Sequence, residues 1–121
     1  MIIHSKRNLK KTVLHHGKDI LFSDGMQSEK KYIQHGVFSV YDHSVTVALF
    51  CVWLAKFLHI KTDSRSLVRG ALLHDYFLYD WHVPSSEHGL HGFTHAARAL
   101  KNAKKDFKIN KKEENMILSH M

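Results

Sequence analysis

Apolar side chains recur along most of the chain at intervals of three and four residues, which is the spacing of one face of an α-helix. Regular alternation of apolar and polar residues, which indicates strands, is scarce, and the chain contains one proline, Pro84. The pattern predicts an all-α protein without a sheet. The predicted helices cover residues 5–17, 26–35, 41–59, 63–79, 94–106 and 111–120.

Two of these helices have clear start signals. Asp63 precedes SRSLVRGALLHD and Asn110 precedes KKEENMILSH, and both residue types cap helices by accepting hydrogen bonds from the first backbone N–H groups. Glu113 and Glu114 favour the second start because they face the positive end of the helix dipole. The segment HVPSSEHGLHG, residues 82–92, contains the helix breakers and is the predicted loop, which we expect to shape access to a site.

Two helical runs, SVTVALFCVWLAKFL and SLVRGALLHD, are apolar on nearly every side, which predicts helices at the centre of a small bundle. His43 opens the first run, and His74 with Asp75 closes the second. A buried imidazole beside a buried carboxylate is costly unless something pairs with both groups. A divalent cation would do so, because imidazole nitrogen and carboxylate oxygen are common metal ligands. A His-Asp hydrogen bond that fixes the helix end is the alternative.

Length and composition favour a single globular domain, since the chain has 121 residues of which 44% are hydrophobic. The longest apolar run, Val45 to Ala55, is shorter than the roughly 18 residues of a membrane span, so we expect no membrane association. The N-terminal residues lack the apolar segment of a secretory signal. The chain has one cysteine, Cys51, which we interpret as a small buried hydrophobic residue, and this favours a cytoplasmic protein.

A formal net charge of +7 indicates an anionic partner. A nucleotide, a phosphorylated metabolite, a nucleic acid and an acidic surface all fit this charge. Much of it lies in KRNLKK and KNAKKDFKINKKEEN, where lysines at helical spacing are also typical of a solvated helix face. The net charge therefore predicts a negatively charged partner but does not indicate which kind of molecule it is.

Four motifs occur in order along the chain: SVYDHSVTVA, GALLHDYFLYDW, HGFTHAARALKNA and ILSHM. Together, over residues 35–121, they resemble the HD-domain superfamily of metal-dependent phosphohydrolases, in particular its small cytoplasmic bacterial members. The resemblance implies an HD-domain-like orthogonal bundle of about five to six helices, with residues 1–34 as an N-terminal helical extension. It also implies that a small nucleotide, phosphomonoester or phosphodiester is cleaved with one or two divalent ions, which could be manganese, iron, zinc, cobalt or nickel.

Site residues follow from the resemblance by position. The metal ligands would be His43, His74, Asp75, His95 and His120. Asp75 would also be catalytic, as the bridge between two ions. His95 opens a predicted helix, where the positive dipole end keeps an imidazole neutral and ready to bind a metal.

The chain departs from the superfamily pattern at three points. Ala96 stands where proline is common, and Leu78 stands where some relatives have a catalytic glutamate or a lysine, so Asp80 is the nearest candidate for a catalytic acid. The closing aspartate of the superfamily comes from a later helix, whereas the sequence ends at Met121. This leaves a chain without its last helix, a degenerate member, or a site completed by another chain.

Residues near the motifs are candidates for binding an anionic substrate. Arg69, Arg98 and Lys101 would stabilise phosphate charge, and His91 lies one helical turn before His95. Arg69 could equally lie on the solvated side of its helix, and His91 could be an exposed loop residue. The alternative function is a catalytically degenerate basic helical module that binds nucleic acid or an acidic partner. The sequence does not decide whether the protein forms a homo-oligomer.

Overall fold

The structure is a computed structural model, and it describes residues 6–76 and 91–119. This part of the chain is mostly helical, which confirms the all-α prediction. Its α-helices are α1 (Lys6–Leu21), α2 (Asp24–Ser28), α3 (Val40–Phe57), α4 (Ser64–Leu73), α5 (His91–Asp106) and α6 (Lys111–Ser119). A 3₁₀ turn, Glu29–Lys31, and two short strands, β1 (Ile33–His35) and β2 (Phe38–Ser39), lie between α2 and α3.

The region from α2 to α3 corrects two predictions. The helix predicted over 26–35 is α-helical only to Ser28 and 3₁₀ only to Lys31, and the predicted absence of a sheet is wrong because two strands follow. Strands β1 and β2 pair antiparallel, with Ile33 opposite Ser39 and His35 opposite Phe38. Gly36, between the strands, has a φ of 57°, a conformation that glycine adopts without steric cost. Such a turn cannot continue a helix, so the chain reverses here and leads directly into α3.

The predicted ends of three helices also change. Helix α1 runs four residues past the predicted end at 17, and α5 begins at His91, so the loop prediction is wrong for residues 91 and 92. Helix α4 ends at Leu73, short of the predicted end at 79, and residues 77–79 lie outside the described part. His74 is the C-cap of α4, and the chain leaves the helix there.

Local capping explains where three helices begin. Asp63 accepts a hydrogen bond from the backbone N–H of Ser66 at 3.2 Å, which confirms the predicted cap of α4. Asn110 accepts one from Glu113 N–H at 2.8 Å, and Glu113 accepts one in return from Asn110 N–H, which confirms the predicted start of α6. The start of α3 has an equivalent reciprocal pair, Ser39 with Asp42, which was not among the predicted caps.

Helix α4 is the centre of the described bundle, as predicted, because it packs against α1, α3 and α6. Its side chains Val68, Leu72 and Leu73 are completely buried. The prediction holds less well for α3, which buries only one narrow face. The buried residues of α3 are Val40, Ser44, Ala48 and Val52.

The outer face of α3 carries an aromatic row. Trp53 stacks on Phe50 at 5.9 Å and on Phe57 at 5.1 Å between ring centroids, and both phenylalanines are more than half exposed. Over its 18 residues the mean hydropathy is 1.2, so α3 is long and apolar enough to cross a membrane by length and composition. One such helix is weak evidence for a span, since the core helix of a soluble protein has the same composition.

Candidate metal centre

The centre is formed where the start of α3 lies beside the end of α4. His43 is in the first turn of α3, just after the Ser39 cap, and His74 and Asp75 directly follow α4. The two imidazole rings approach each other to 5.4 Å between centroids. Because α3 and α4 pack directly against each other, residues far apart in sequence meet at this end of the bundle.

The donor atoms of these three side chains are close enough to share one cation. Asp75 Oδ2 lies 3.4 Å from His43 Nε2 and 3.2 Å from His74 Nε2, and the three groups offer donors that all lie within 4.8 Å of one another. Tetrahedral ligands at metal distances of 2.0–2.2 Å are about 3.4 Å apart. The three residues therefore fit a metal ion, and within the described ranges they are the one His/Cys/Asp/Glu group with this geometry.

The hydrogen bond of His74 to the backbone determines what its second ring nitrogen can do. Nδ1 contacts the carbonyl oxygen of Ala71, which can only accept, so Nδ1 carries the proton in this contact. In the neutral ring, Nε2 then presents a lone pair to the Asp75 carboxylate. Two acceptors at this distance repel unless a proton or a metal cation lies between them.

Burial strengthens this requirement. The side chain of Asp75 is 2% exposed and that of His74 is 7% exposed, whereas His43 is 28% exposed at the mouth of the centre. Burial by itself lowers the pKa of His74, but the hydrogen bond and charge of Asp75 and the Ala71 carbonyl outweigh it and raise that pKa. A proton or a metal cation between the two groups would offset the buried negative charge of Asp75.

An open pocket of about 330 Å³ gives access to the two histidines. Its other lining residues are small or apolar, namely Val47, Cys51, Gly70, Ala71 and Met116. Burial raises the pKa of the Cys51 thiol, which keeps it protonated at neutral pH. A larger pocket of about 720 Å³ lies between the end of α3 and the start of α4, and His43 and His74 do not line it.

Arg69, a predicted substrate contact, is engaged inside the bundle. Its guanidinium donates two hydrogen bonds to the Asp19 carboxylate, at 2.6 and 3.0 Å, and one to the carbonyl oxygen of His16. Its Nε also lies 3.9 Å from Glu113 Oε2. Since Arg69 is 3% exposed, these contacts favour a structural role that joins α1, α4 and α6 over contact with a substrate.

The other predicted site residues come from α5 and from outside the described residues. On α5, Arg98 is half-buried and Lys101 is exposed. Helix α5 begins at His91, so the backbone of His95 lies in its second turn, whereas the sequence predicted His95 in the first turn. Asp80 and His120 lie outside the described residues.

Sequence reasoning missed two buried groups beside the centre. Glu29 is completely buried, and neither of its carboxylate oxygens has a hydrogen-bond partner. Tyr76, which directly follows Asp75, is also completely buried, and its hydroxyl donates to Asp106 at 2.7 Å. No local signal marks Glu29, because it opens a Glu-Lys-Lys run that is typical of a solvated turn.

Comparison of the chain with models of known protein families, with curated proteins and with solved structures found no match. Any functional proposal for this chain therefore depends on the geometry of the centre and on the sequence motifs.

Proposed function

We propose that this protein is a metal-dependent phosphohydrolase of the HD-domain type, acting on a small phosphorylated substrate such as a nucleotide or phosphomonoester. The observation that carries the proposal is the arrangement around Asp75. Its carboxylate faces Nε2 of both His43 and His74, while the Nδ1 proton of His74 is held by Ala71. This donor set suits zinc, iron, manganese, cobalt or nickel, so one or two such ions are part of the proposal.

Each residue has a distinct task in this proposal. His43 and His74 hold the cation through their Nε2 atoms, and the Ala71 carbonyl fixes the His74 ring in the tautomer that can bind it. Asp75 supplies negative charge and turns one oxygen toward both rings. When bound, a divalent cation lowers the pKa of water toward neutrality and offsets the charge of phosphate oxygens.

Phosphate recognition needs cations that the pocket lining does not supply among the described residues. Arg98 and Lys101 on α5 remain the proposed substrate contacts, together with His91, while Asp80, His95 and His120 remain proposed site residues on the resemblance alone. Arg69 is withdrawn from this set because Asp19 occupies its guanidinium. A cytoplasmic location remains a proposal that rests on the cysteine content.

The decisive test is the metal content of protein purified without chelator and without a histidine tag. We expect near-stoichiometric metal in the wild type and none in Asp75→Ala, followed by hydrolysis of at least one member of a panel of nucleotides, phosphomonoesters and phosphodiesters. Asp24→Ala, which removes an exposed acid of α2, is the matched control and should keep the metal. Wild-type protein that binds no metal, even after addition of manganese, iron or zinc, would refute the proposal.

The basic face of α1 favours a second function, binding of nucleic acid or an acidic partner. Lys6, Arg7, Lys10 and Lys11 are all exposed and surround a shallow pocket beside Leu14. Binding by such a surface depends on release of counterions and weakens steeply with salt. Retention on nucleic acid that disappears in Lys10→Glu/Lys11→Glu, with no metal bound to the wild type, would favour this function over hydrolysis.

A further inference from the structure

Glu29 is a buried acidic residue whose carboxyl group has no hydrogen-bond partner. Glu29 is the first residue of the 3₁₀ turn, its exposure is 0%, and both carboxylate oxygens lack hydrogen bonds. An ionised carboxyl in this state is strongly unfavourable, and native proteins rarely leave such a group unsatisfied without a water, an ion or a functional reason. The described residues donate no hydrogen bond to the Glu29 carboxyl, so its ionised form needs stabilisation from another source, such as a water molecule or a cation.

The segment that carries Glu29, from α2 through the 3₁₀ turn, contacts both parts of the chain that form the centre. The 3₁₀ turn packs against α3, and the backbone N–H of Val40 donates to the carbonyl oxygen of Tyr32 at 2.7 Å. Gly25, in α2, lies against Tyr76, so closely that a Cβ at Gly25 would overlap the Tyr76 hydroxyl. The segment from Gly25 to Tyr32 thus contacts both the start of α3 and the residue after Asp75.

The pKa shifts of Glu29 and Tyr76 agree with a position of Glu29 close to Asp75 and Tyr76. Burial raises the pKa of Glu29 well above its ordinary value, and the charge of Asp75 raises it further. Glu29 in turn contributes to the raised pKa of Tyr76, after burial and the hydrogen bond to Asp106. Two buried carboxyl groups that repel each other are stabilised together when a cation lies near both.

We propose that Glu29 is a positioning residue of the His43–His74–Asp75 metal centre, whose carboxylate offsets the charge of the bound cation and orients water around it. This deepens the proposed function and rests on it. Glu29 does not belong to the group of donors within 4.8 Å of one another, so its role is to accept hydrogen bonds from the hydrated side of the centre rather than to bind the ion directly. With Asp75 it brings two negative charges to a divalent cation, which makes the centre neutral.

The test uses the full chain, stripped of metal and titrated with Mn²⁺ or Zn²⁺ in a calorimeter. We expect Glu29→Gln to weaken metal affinity by about 10- to 100-fold. This is the usual loss when a residue that positions the metal ligands, but does not bind the metal itself, is replaced. Glu113→Gln is the matched control, because Glu113 is also completely buried with one oxygen lacking a hydrogen bond, but it lies beside Arg65 and Arg69. That variant should bind metal as the wild type does.

Thermal unfolding of the metal-free proteins provides a second readout. We expect Glu29→Gln to unfold at the same or a higher temperature than the wild type, because a neutral amide replaces a carboxyl that repels Asp75, and to gain less stabilisation on adding metal. A metal-free Glu29→Gln protein that is less stable or unfolded would overturn the assignment, since it would show that the fold itself needs the carboxyl.

The outcomes separate this inference from the function on which it rests. If the wild type binds metal, Asp75→Ala does not, and Glu29→Gln binds as tightly as the wild type, the role of Glu29 is refuted and the centre stands. If Glu113→Gln weakens binding as much as Glu29→Gln does, the effect is not specific to the centre and the inference again fails. If the wild type binds no metal, both proposals fail.

Discussion

Asp75 Oδ2 lies 3.4 Å from His43 Nε2, although the two residues belong to different parts of the bundle. The contact joins the first turn of α3 to the residues that follow α4, and His74 approaches the same oxygen atom at 3.2 Å. One carboxylate oxygen facing two imidazole nitrogens is a compact arrangement for sharing a cation. The three candidate metal ligands therefore lie together where α3 begins and α4 ends.

Replacing Asp75 by asparagine should abolish tight metal binding while keeping the size of the side chain. We expect metal affinity to fall by more than about 100-fold, because the charged oxygen between the two histidines is lost. Calorimetric titration of the stripped protein with Mn²⁺ or Zn²⁺ measures this. Asp24→Asn changes an exposed acid elsewhere and should have no effect, and equal affinities of Asp75→Asn and wild type would show that Asp75 is not part of a metal centre.

Replacing Asp19 by alanine should destabilise the fold without affecting metal binding. The change removes two hydrogen bonds to the buried Arg69, and we expect a loss of about 1–2 kcal/mol, at the low end for charged hydrogen bonds because Asp19 is 58% exposed. Urea unfolding measures the loss. Lys108→Ala, at an exposed position, should change stability by less than about 0.5 kcal/mol. A drop in metal affinity for Asp19→Ala would contradict the structural role of Arg69.

The same ion pair should give stability a pH dependence on the acid side. Hydrogen bonds from Arg69 lower the pKa of Asp19 below its ordinary value of 3.8. The stabilisation is therefore fully present above that ordinary value and is lost as the pH falls through the lowered pKa in the folded state. In urea unfolding from about pH 7 to about pH 2, the difference between wild type and Asp19→Asn should shrink toward zero in acid. A difference that is constant with pH would show that the pair does not act through charge.

The contact between Gly25 and Tyr76 predicts a coupled pair of substitutions. Gly25→Ala should cost about 1–3 kcal/mol, because its Cβ would overlap the Tyr76 hydroxyl. Tyr76→Phe alone should cost about 1 kcal/mol through loss of the hydrogen bond to Asp106. In the double variant the missing hydroxyl relieves part of the overlap, so the cost should be smaller than the sum of the two. Additive losses in a double-mutant cycle would show that Gly25 and Tyr76 are not in contact.

Secondary structure was predictable wherever the pattern is periodic and capped. The spacing of apolar residues and the capping residues Asp63 and Asn110 act within a few residues of chain, so they predicted α4 and α6 correctly at their starts. The hairpin after α2 was not predicted. Its strands have only three and two residues, too few for an alternating pattern, and its pairing depends on Gly36 and on the docking of Tyr32 against the start of α3.

The helical class, the buried character of α4 and the presence of histidines and an aspartate at the ends of two central helices were all predictable from the amino-acid sequence, because they depend on local spacing and side-chain chemistry. Which of these groups meet depends on how the helices pack. The tertiary structure brought His43 to Asp75, paired Arg69 with Asp19, and buried Glu29 without a hydrogen-bond partner. These relationships depend on how helices distant in the chain pack, and burial, which sets the energy of a charge, is a property of that packing.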